Sequence, residues 1–261
     1  MVDVDGVVLR ASLGEWAANM EADLGFSRQA FQQHFFTPHW NDVVLGRAGL
    51  HERLGPVLAG HAPHLTSQQV AAYWFENDAQ MNEALLADLG KLRASGVQLH
   101  LATIQEHERA AYLWDRLGLR DHFEAMHYAA DIGWRKTDAE FYRVVETRTG
   151  IAGRDLVLLD DTAANVEAAR AAGWVARSGT EPLGFPRFSR ITASRKLAKP
   201  RDLPAPVKEL SYKRVQPWSP AFAPPAWNMS STGCGCAVSC RWRRWSYRAT
   251  NQPSARLHLI S

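Results

Sequence analysis

Six polar residues at four points of the chain have side chains suited to chemistry on a phosphate group. They are Asp3 and Asp5, Thr103, Lys136, and the adjacent pair Asp160 and Asp161. Carboxylates are hard oxygen ligands of the kind that Mg²⁺ prefers, and phosphate oxygens commonly complete its shell. A lysine and a hydroxyl group can neutralise and orient the remaining phosphate oxygens. If these residues lie together, the sequence predicts a metal-assisted phosphate site.

Strand and helix patterns alternate beyond residue 96 and would bring these residues to one edge of a sheet. Residues 97–103 (VQLHLAT) and 125–128 read as strands, and DLVLLDD (155–161) is typical of a strand buried on both faces of a parallel sheet. Alternating strands and helices predict a doubly wound, Rossmann-like α/β domain. Ligands of such sheets bind beyond the carboxyl ends of the strands, which is where the candidate residues fall.

The segment 12–95 carries helical patterns and few readable strands. Predicted helices cover 13–24, a segment from an N-cap at Ser27 to near Pro38, a segment that starts at Thr66 or Ser67, and 81–92. We therefore predict a helical cap domain over 12–95, inserted into a core domain made of 1–11 and 96–181.

Composition changes sharply near residue 181. Residues 1–181 carry 16 Lys+Arg and 25 Asp+Glu, whereas 182–261 carry 14 and 2, together with all three cysteines and ten of the thirteen prolines. Such a segment is expected to be a disordered, basic tail. Its run RWRRWSYR interleaves basic and aromatic residues, which leaves nucleic-acid binding open as a less favoured role, and an altered reading frame is a further hypothesis.

Membrane association is not expected. No apolar run approaches the roughly 20 residues needed to span a bilayer, and the start of the chain lacks the basic and apolar stretches of a secretory signal. The expectation is a soluble, cytoplasmic protein whose oligomeric state the sequence leaves open.

The candidate residues resemble, in order and spacing, the four motifs of the haloacid dehalogenase-like hydrolase superfamily. The matching elements are DVDGV (3–7), Thr103 at a strand end, Lys136, and DDTAAN (160–165). DIGWRKTDAEFYRVV and LVLLDDTAANVEAARAAG also resemble the group that contains alpha-glucose-1-phosphatase and the phosphatase domain of soluble epoxide hydrolase. The resemblance covers about residues 1–180, and the helical insertion matches the cap domain of that group in position and size.

The resemblance implies a role for each matching residue. Asp3 would be the nucleophile that forms an aspartyl-phosphate, and Asp5 the general acid and base. Thr103 would bond a phosphoryl oxygen, and Lys136 would balance the negative charge. The implied Mg²⁺ ligands are Asp3, the backbone carbonyl of Asp5, Asp161, and Asp160 directly or through water.

The expected function is that of a Mg²⁺-dependent phosphatase acting on a small phosphate monoester. Relatives that cleave carbon–halogen bonds lack the second aspartate and need no metal, so Asp5 favours phosphoryl transfer. Sugar phosphates are the leading guess for the substrate through the resemblance alone. A phosphomutase, which uses the same two aspartates, stays open. Only Met1 and Val2 precede Asp3, so a weakened enzyme that acts as a binding module, or a start codon further upstream, also stays open.

Overall fold

The structure is a computed structural model that describes residues 1–11 and 14–179. Its strands are β1 (His100–Thr103), β2 (Ala125–Tyr128), β3 (Val157–Asp160) and β4 (Val175–Ser178). β1 pairs in parallel with β2, and β3 pairs in parallel with β4. Val2 bridges both Leu101 and Leu159 in parallel, so residues 1–3 join the two pairs. The order β2, β1, residues 1–3, β3, β4 confirms the predicted doubly wound parallel sheet.

Residues 1–3 are fixed from both sides by backbone hydrogen bonds. These bonds run from Val2 N to His100 O (2.9 Å), Ala102 N to Val2 O (2.9 Å), Asp3 N to Leu159 O (2.8 Å) and Leu159 N to Met1 O (3.0 Å). Val2 and Val4 are almost completely buried. A chain end is ordered when a sheet holds it in this way. The short segment before Asp3 therefore forms the centre of the sheet.

The regular elements of residues 14–77 are all helical. The α-helices are α1 (Met20–Leu24), α2 (Arg28–Phe31), α3 (Thr37–Val44), α4 (Leu50–His61) and α5 (Ser67–Asn77). The predicted N-cap at Ser27 is confirmed, because its Oγ accepts from Ala30 N (3.1 Å). Of the two starts predicted for α5, Thr66 or Ser67, the structure has Thr66 as the N-cap, with Oγ1 accepting from Gln69 N (3.2 Å). Each cap satisfies one of the backbone donors that a helix start leaves without an intrahelical partner.

Two predicted helix bounds were wrong. The helix expected over 13–24 is a 3₁₀ turn (Glu15–Ala17) followed by α1, separated at Asn19, a residue type that favours caps over helix interiors. Pro38 does not end its helix. A π-helical turn (Gln32–Phe36) leads into α3, and Pro38 lies in the first turn of α3, where its missing N–H costs little.

An aromatic cluster fills the interior of this helical region. Phe31 lies with its ring centroid 5.2 Å from Phe35 and 6.3 Å from Trp74. Trp74 also contacts Trp16 and Trp40 with centroids 5.7 and 5.6 Å apart. These tryptophans are part of the packing of the region, as their helical spacing indicates.

The remaining helices flank the sheet. They are α6 (Glu83–Ala94), α7 (His107–Ala111), continued by a π-helical turn (Tyr112–Arg116), α8 (Ala129–Ile132), α9 (Ala139–Thr149) and α10 (Ala163–Ala171). Leu86, Leu89 and Leu92 of α6 pack in one hydrophobic cluster with Val2 and Leu101 of the sheet. Because α6 packs on the sheet, we propose that the cap ends near residue 80 rather than at the predicted residue 95.

Within the part of the chain that the structure describes, no helix is long and apolar enough to cross a membrane. The predictions for the tail 182–261, including its cysteines and its basic–aromatic run, concern residues outside that part.

Candidate active site

The carboxyl ends of the strands bring the predicted residues to one edge of the sheet. Asp3 follows the bridging residue Val2, Thr103 ends β1, and Asp160 ends β3. A cavity of about 350 Å³ opens at this edge. Among the residues that line it are Asp3, Asp5, Thr103, Lys136 and Asp161. This volume is within the range of small-molecule sites.

Lys136 is the cation at the centre of this group. Its side chain is buried, and Nζ lies 2.6 Å from Asp3 Oδ1 and 2.7 Å from Asp160 Oδ2. Nζ also donates to the carbonyl oxygen of Ala102 at 3.1 Å. Burial by itself lowers the pKa of Lys136, but the nearby carboxylates Asp3 and Asp160 outweigh burial and raise it above its usual value. The ammonium group therefore stays charged.

Asp3 is buried beside this ammonium group. Val4 N donates to Asp3 Oδ1 at 2.7 Å, so Oδ1 has a backbone donor as well as Lys136. Burial raises the pKa of Asp3 to about 7; Lys136 lowers it, and the charge of Asp160 raises it further. The carboxylate form of Asp3 would gain from a further cation, because one lysine does not balance the negative charge around it.

Asp160 and Asp161 are adjacent but have different surroundings. Asp160 is fully buried, and its Oδ1 accepts from Thr162 N (2.9 Å) and Asn165 Nδ2 (3.1 Å). Asp161 is half-buried and lines the cavity. Burial is also the main cause that raises the pKa of Asp161. Asp160 thus organises the loop after β3, and Asp161 presents its carboxylate to the cavity.

Three carboxylates are close enough together to share one metal ion. Asp3, Asp160 and Asp161 each offer an oxygen, and these oxygens lie within 4.8 Å of one another. All three are hard oxygen donors, which suits Mg²⁺ better than a soft metal. The donor set and the excess of negative charge both fit a divalent cation.

Gly6 allows the backbone to pass close to the carboxylate of Asp161. Its φ of 76° lies in the left-handed region that other residues avoid. A Cβ atom at this position would lie 1.9 Å from Asp161 Oδ2. The turn after Asp5 can therefore pass next to the Asp161 carboxylate only because residue 6 has no side chain.

Asp5 faces the same cavity but belongs to a different hydrogen-bond network. Its side chain is 55% exposed, whereas that of Asp3 is 8% exposed. Gln105 Nε2 donates to Asp5 Oδ2 at 2.6 Å, and Arg109 Nη2 lies 3.4 Å from Asp5 Oδ1. A carboxylate that is open to the cavity and held by two donors is placed to exchange protons with a ligand there.

The family model for haloacid dehalogenase-like hydrolases matches residues 1–173. The chain belongs to this hydrolase family. The match spans β1 to β3, the helical region and every candidate residue named above. No curated protein matches this hydrolase.

Solved structures share the fold of this hydrolase at low sequence identity. A family enzyme from Bacteroides thetaiotaomicron in complex with magnesium is 17% identical with a TM-score of 0.58, over 71% of this chain and 96% of that one. A variant of that enzyme with magnesium and inorganic phosphate is 16% identical with a TM-score of 0.60, over 70% and 95%. A protein from Porphyromonas gingivalis, described as a predicted hydrolase of this type, is 19% identical with a TM-score of 0.58, over 73% and 95%.

Sequence reasoning missed two residues of this hydrolase that contact Asp5. Gln105 lies two positions beyond Thr103, so its place just past a strand end is a signal that could have been read. Arg109 gives no such signal, because an arginine inside a helical pattern is ordinarily a solvated surface residue. The partner of Asp5 is 104 residues away along the chain.

Proposed function

We propose that this hydrolase is a Mg²⁺-dependent phosphatase that cleaves a small phosphate monoester through an aspartyl-phosphate on Asp3. The observation that carries the proposal is the pair of close contacts from Lys136 Nζ to Asp3 and Asp160 at the edge of the sheet. Asp161 and Asp5 line the same cavity. The nucleophile Asp3, the cation Lys136 and the proton donor Asp5 are then all within reach of one bound phosphate group.

The contacts of Asp3 support its role as the nucleophile. The hydrogen bond from Val4 and the close contact from Lys136 both go to Oδ1. Oδ2 is therefore the oxygen that would form the bond to phosphorus while the ester oxygen leaves. Lys136 balances the charge of Asp3 as the phosphoryl group arrives. Thr103 lines the cavity at the end of β1, and its hydroxyl group donates a hydrogen bond to a phosphoryl oxygen.

Asp5 gives a proton in the first half-reaction and takes one back in the second. Its carboxyl group gives a proton to the departing ester oxygen, so the product leaves as an alcohol. The resulting Asp5 carboxylate then takes a proton from the water that attacks the aspartyl-phosphate, which releases phosphate and regenerates Asp3. The exposure of Asp5 to the cavity supports this role.

The residues that would hold Mg²⁺ are Asp3, Asp161, the backbone carbonyl of Asp5, and Asp160 directly or through water. Bound there, the ion would neutralise negative charge on the phosphate. Magnesium in the Bacteroides thetaiotaomicron complexes supports the choice of metal. A cavity of about 350 Å³ supports a small substrate.

The anchoring of residues 1–3 supports an enzyme rather than a weakened binding module. The short first segment was the reason to consider such a module. Four backbone hydrogen bonds hold this segment between β1 and β3, so Asp3 has the fixed position that a nucleophile requires.

Hydrolysis of 4-nitrophenyl phosphate by the full chain tests the proposal. Activity should require Mg²⁺, disappear with a chelator, and fall by about 10³-fold or more in Asp3→Asn, since a nucleophile is being removed. Acid quenching during turnover of ³²P-labelled substrate should trap label on the wild-type chain and not on Asp3→Asn. Asp88→Asn, a surface change in α6, is the matched control. Full activity without metal, or equal activity of the two variants, would contradict the proposal.

A further inference from the structure

Arg109 is a buried cation that the roles proposed above do not use. Its side chain is 1% exposed. Its Nη2 lies 3.4 Å from Asp5 Oδ1, 3.1 Å from Asp78 Oδ2 and 2.9 Å from the Asp78 carbonyl oxygen. Removing a guanidinium group from water is costly unless opposite charges and hydrogen bonds compensate. The two carboxylates provide that compensation, and one of them is the proposed proton donor.

The guanidinium group lies where the helical region joins the sheet. Its Cζ is 5.6 Å from the ring centroids of both Trp74 and Phe75 in the last turns of α5. Asp78 is the residue that ends α5. Arg109 itself belongs to α7, which follows β1. Its side chain therefore connects α7, which flanks the sheet, with α5 of the helical region.

The two chain segments that connect the helical region to the sheet pair with each other beside Arg109. Arg10 N donates to Gln80 O at 2.9 Å, and Asn82 N donates to Val8 O at 2.8 Å. Asp5 lies a few residues before the first segment, and Asp78 lies just before the second. A side chain that holds Asp5 and Asp78 therefore connects the proposed acid to the point where the helical region is attached.

The turn that begins α7 is built to place these donors. Glu106 is buried and accepts hydrogen bonds from the backbone N–H groups of Glu108 and Arg109. Gln105 of the same turn donates to Asp5 Oδ2, while Arg109 approaches Oδ1. One turn thus presents a separate donor to each oxygen of the Asp5 carboxylate.

The guanidinium group has unused capacity for hydrogen bonding. Nη1 is buried and has no hydrogen-bond partner within the described residues. The 3.4 Å contact with Asp5 is long, and contacts of this kind often shorten when a substrate closes the site. A small shift of Asp5 towards Arg109 would give its carboxylate a forked, two-point contact.

We propose that Arg109 is a positioning residue that holds the Asp5 carboxyl group for proton transfer, with Asp78 as its anchor at the junction with the helical region. This inference rests on the proposed function, since it assigns Asp5 as the acid. Arg109 does not touch the reacting atoms; it orients the group that does. Its loss should impair the step in which Asp5 protonates the leaving oxygen more than it impairs substrate binding.

The dependence of kcat/KM on the leaving group distinguishes a positioning role of Arg109 from a purely structural one. The experiment measures kcat/KM of the full chain for a series of aryl phosphates of similar size and increasing leaving-group pKa. Proton donation matters most for the most basic leaving groups. In Arg109→Met the loss for phenyl phosphate should exceed the loss for 4-nitrophenyl phosphate by about 10-fold, which is less than the roughly 10²–10⁴-fold that general acid catalysis contributes because Asp5 itself is kept. Asp5→Asn should show the same pattern with a larger difference.

Two further variants complete the design. Arg109→Lys keeps the charge but lacks the planar guanidinium group and its second terminal nitrogen, so it should hold Asp5 less firmly and show a smaller change of the same kind. Arg120→Met, at an exposed arginine paired with Asp115, should keep the wild-type dependence. If Arg109→Met does not fold, the result for Arg109→Lys decides.

The possible failures are distinguishable. Equal losses for all leaving groups in the folded Arg109 variants would overturn the positioning role and leave the phosphatase proposal intact. A wild-type chain that is inert on every aryl phosphate with Mg²⁺ would overturn the proposed function and this inference with it.

Discussion

Lys136 Nζ lies 2.6 Å from Asp3 Oδ1 and forms the central ion pair of the site. The same nitrogen is 2.7 Å from Asp160 Oδ2, so one buried cation holds the ends of two neighbouring strand segments together. Charged groups this deeply buried depend on one another, because each would otherwise be left without a partner in a medium that solvates charge poorly.

Replacing Lys136 by methionine should therefore destabilise the fold as well as abolish activity. The change leaves Asp3 and Asp160 buried without their cation, and breaking such a pair typically costs about 3–5 kcal/mol. Urea unfolding at pH 7 measures the free energy of unfolding. Lys91→Met, at an exposed lysine of α6, should change it by less than about 0.5 kcal/mol. Equal stabilities for the two variants would show that the buried pair contributes nothing.

Replacing Gly6 by alanine should displace the Asp161 carboxylate. The new Cβ would lie 1.9 Å from Asp161 Oδ2, and the left-handed backbone adds a strain of roughly 1–2 kcal/mol. We expect weaker Mg²⁺ binding by calorimetry and a loss of phosphatase activity. Gly90→Ala is the matched control, because a Cβ there meets nothing within 4 Å and should stabilise α6 by about 0.5–1 kcal/mol. If Gly6→Ala bound Mg²⁺ as tightly as the wild type, the close approach of residue 6 to the Asp161 carboxylate would have no role in metal binding.

The pair of His127, which is buried, and His100, which is partly buried, should make stability depend on pH. His100 Nδ1 lies 3.1 Å from His127 Nε2. Burial lowers the pKa of His100 to about 4, helped by the chain-terminal amine, and burial and the charge of His100 lower the pKa of His127 to about 3. Unfolded histidines titrate near 6.5. As pH falls below that value the unfolded state binds protons first, so stability should drop between pH 6.5 and about 3, the lower of the two folded pKa values, and level off below.

Urea unfolding at pH 7, 6 and 5 checks this dependence. Each histidine adds a slope of up to about 1.4 kcal/mol per pH unit. His127→Asn should lower the slope by the contribution of one histidine, while His122→Asn, at an exposed position, should keep it. Burial raises the pKa of Glu106 to about 7, which gives a slope of opposite sign, but the variants share it and it cancels in the comparison. Identical slopes in all three proteins would exclude the pair as the cause.

Local signals in the sequence predicted much of the fold. β2 was predicted over the residues that form it, and β3 within two residues of its bounds. The helix cap at Ser27 and a helix start at Thr66 or Ser67 could be predicted because the contact of a side-chain oxygen with a helix start is a local interaction. The polar residues at strand ends could be read together because parallel strands place those ends at one edge.

Other features depended on packing that no local pattern records. Pro38 does not end its helical run, because it lies in the first turn of α3 directly after a π-helical turn, and no local pattern predicts that turn. α6 has the same kind of leucine spacing as a cap helix, yet Leu86, Leu89 and Leu92 pack on the sheet. Periodicity shows that a helix has an apolar face, but it does not show which surface covers that face.

The sequence by itself determined the residue types for phosphate chemistry, their order along the chain, and the sheet whose edge collects them. Only the tertiary structure decided which groups contact each other: Lys136 with Asp3 and Asp160, Gly6 with Asp161, and Arg109 with Asp5 and Asp78. The physical reason is that the donors to Asp5 come from positions 100 and 104 residues away. Contacts between such distant residues are created by the packing of whole elements, and nothing in the local sequence around either partner specifies them.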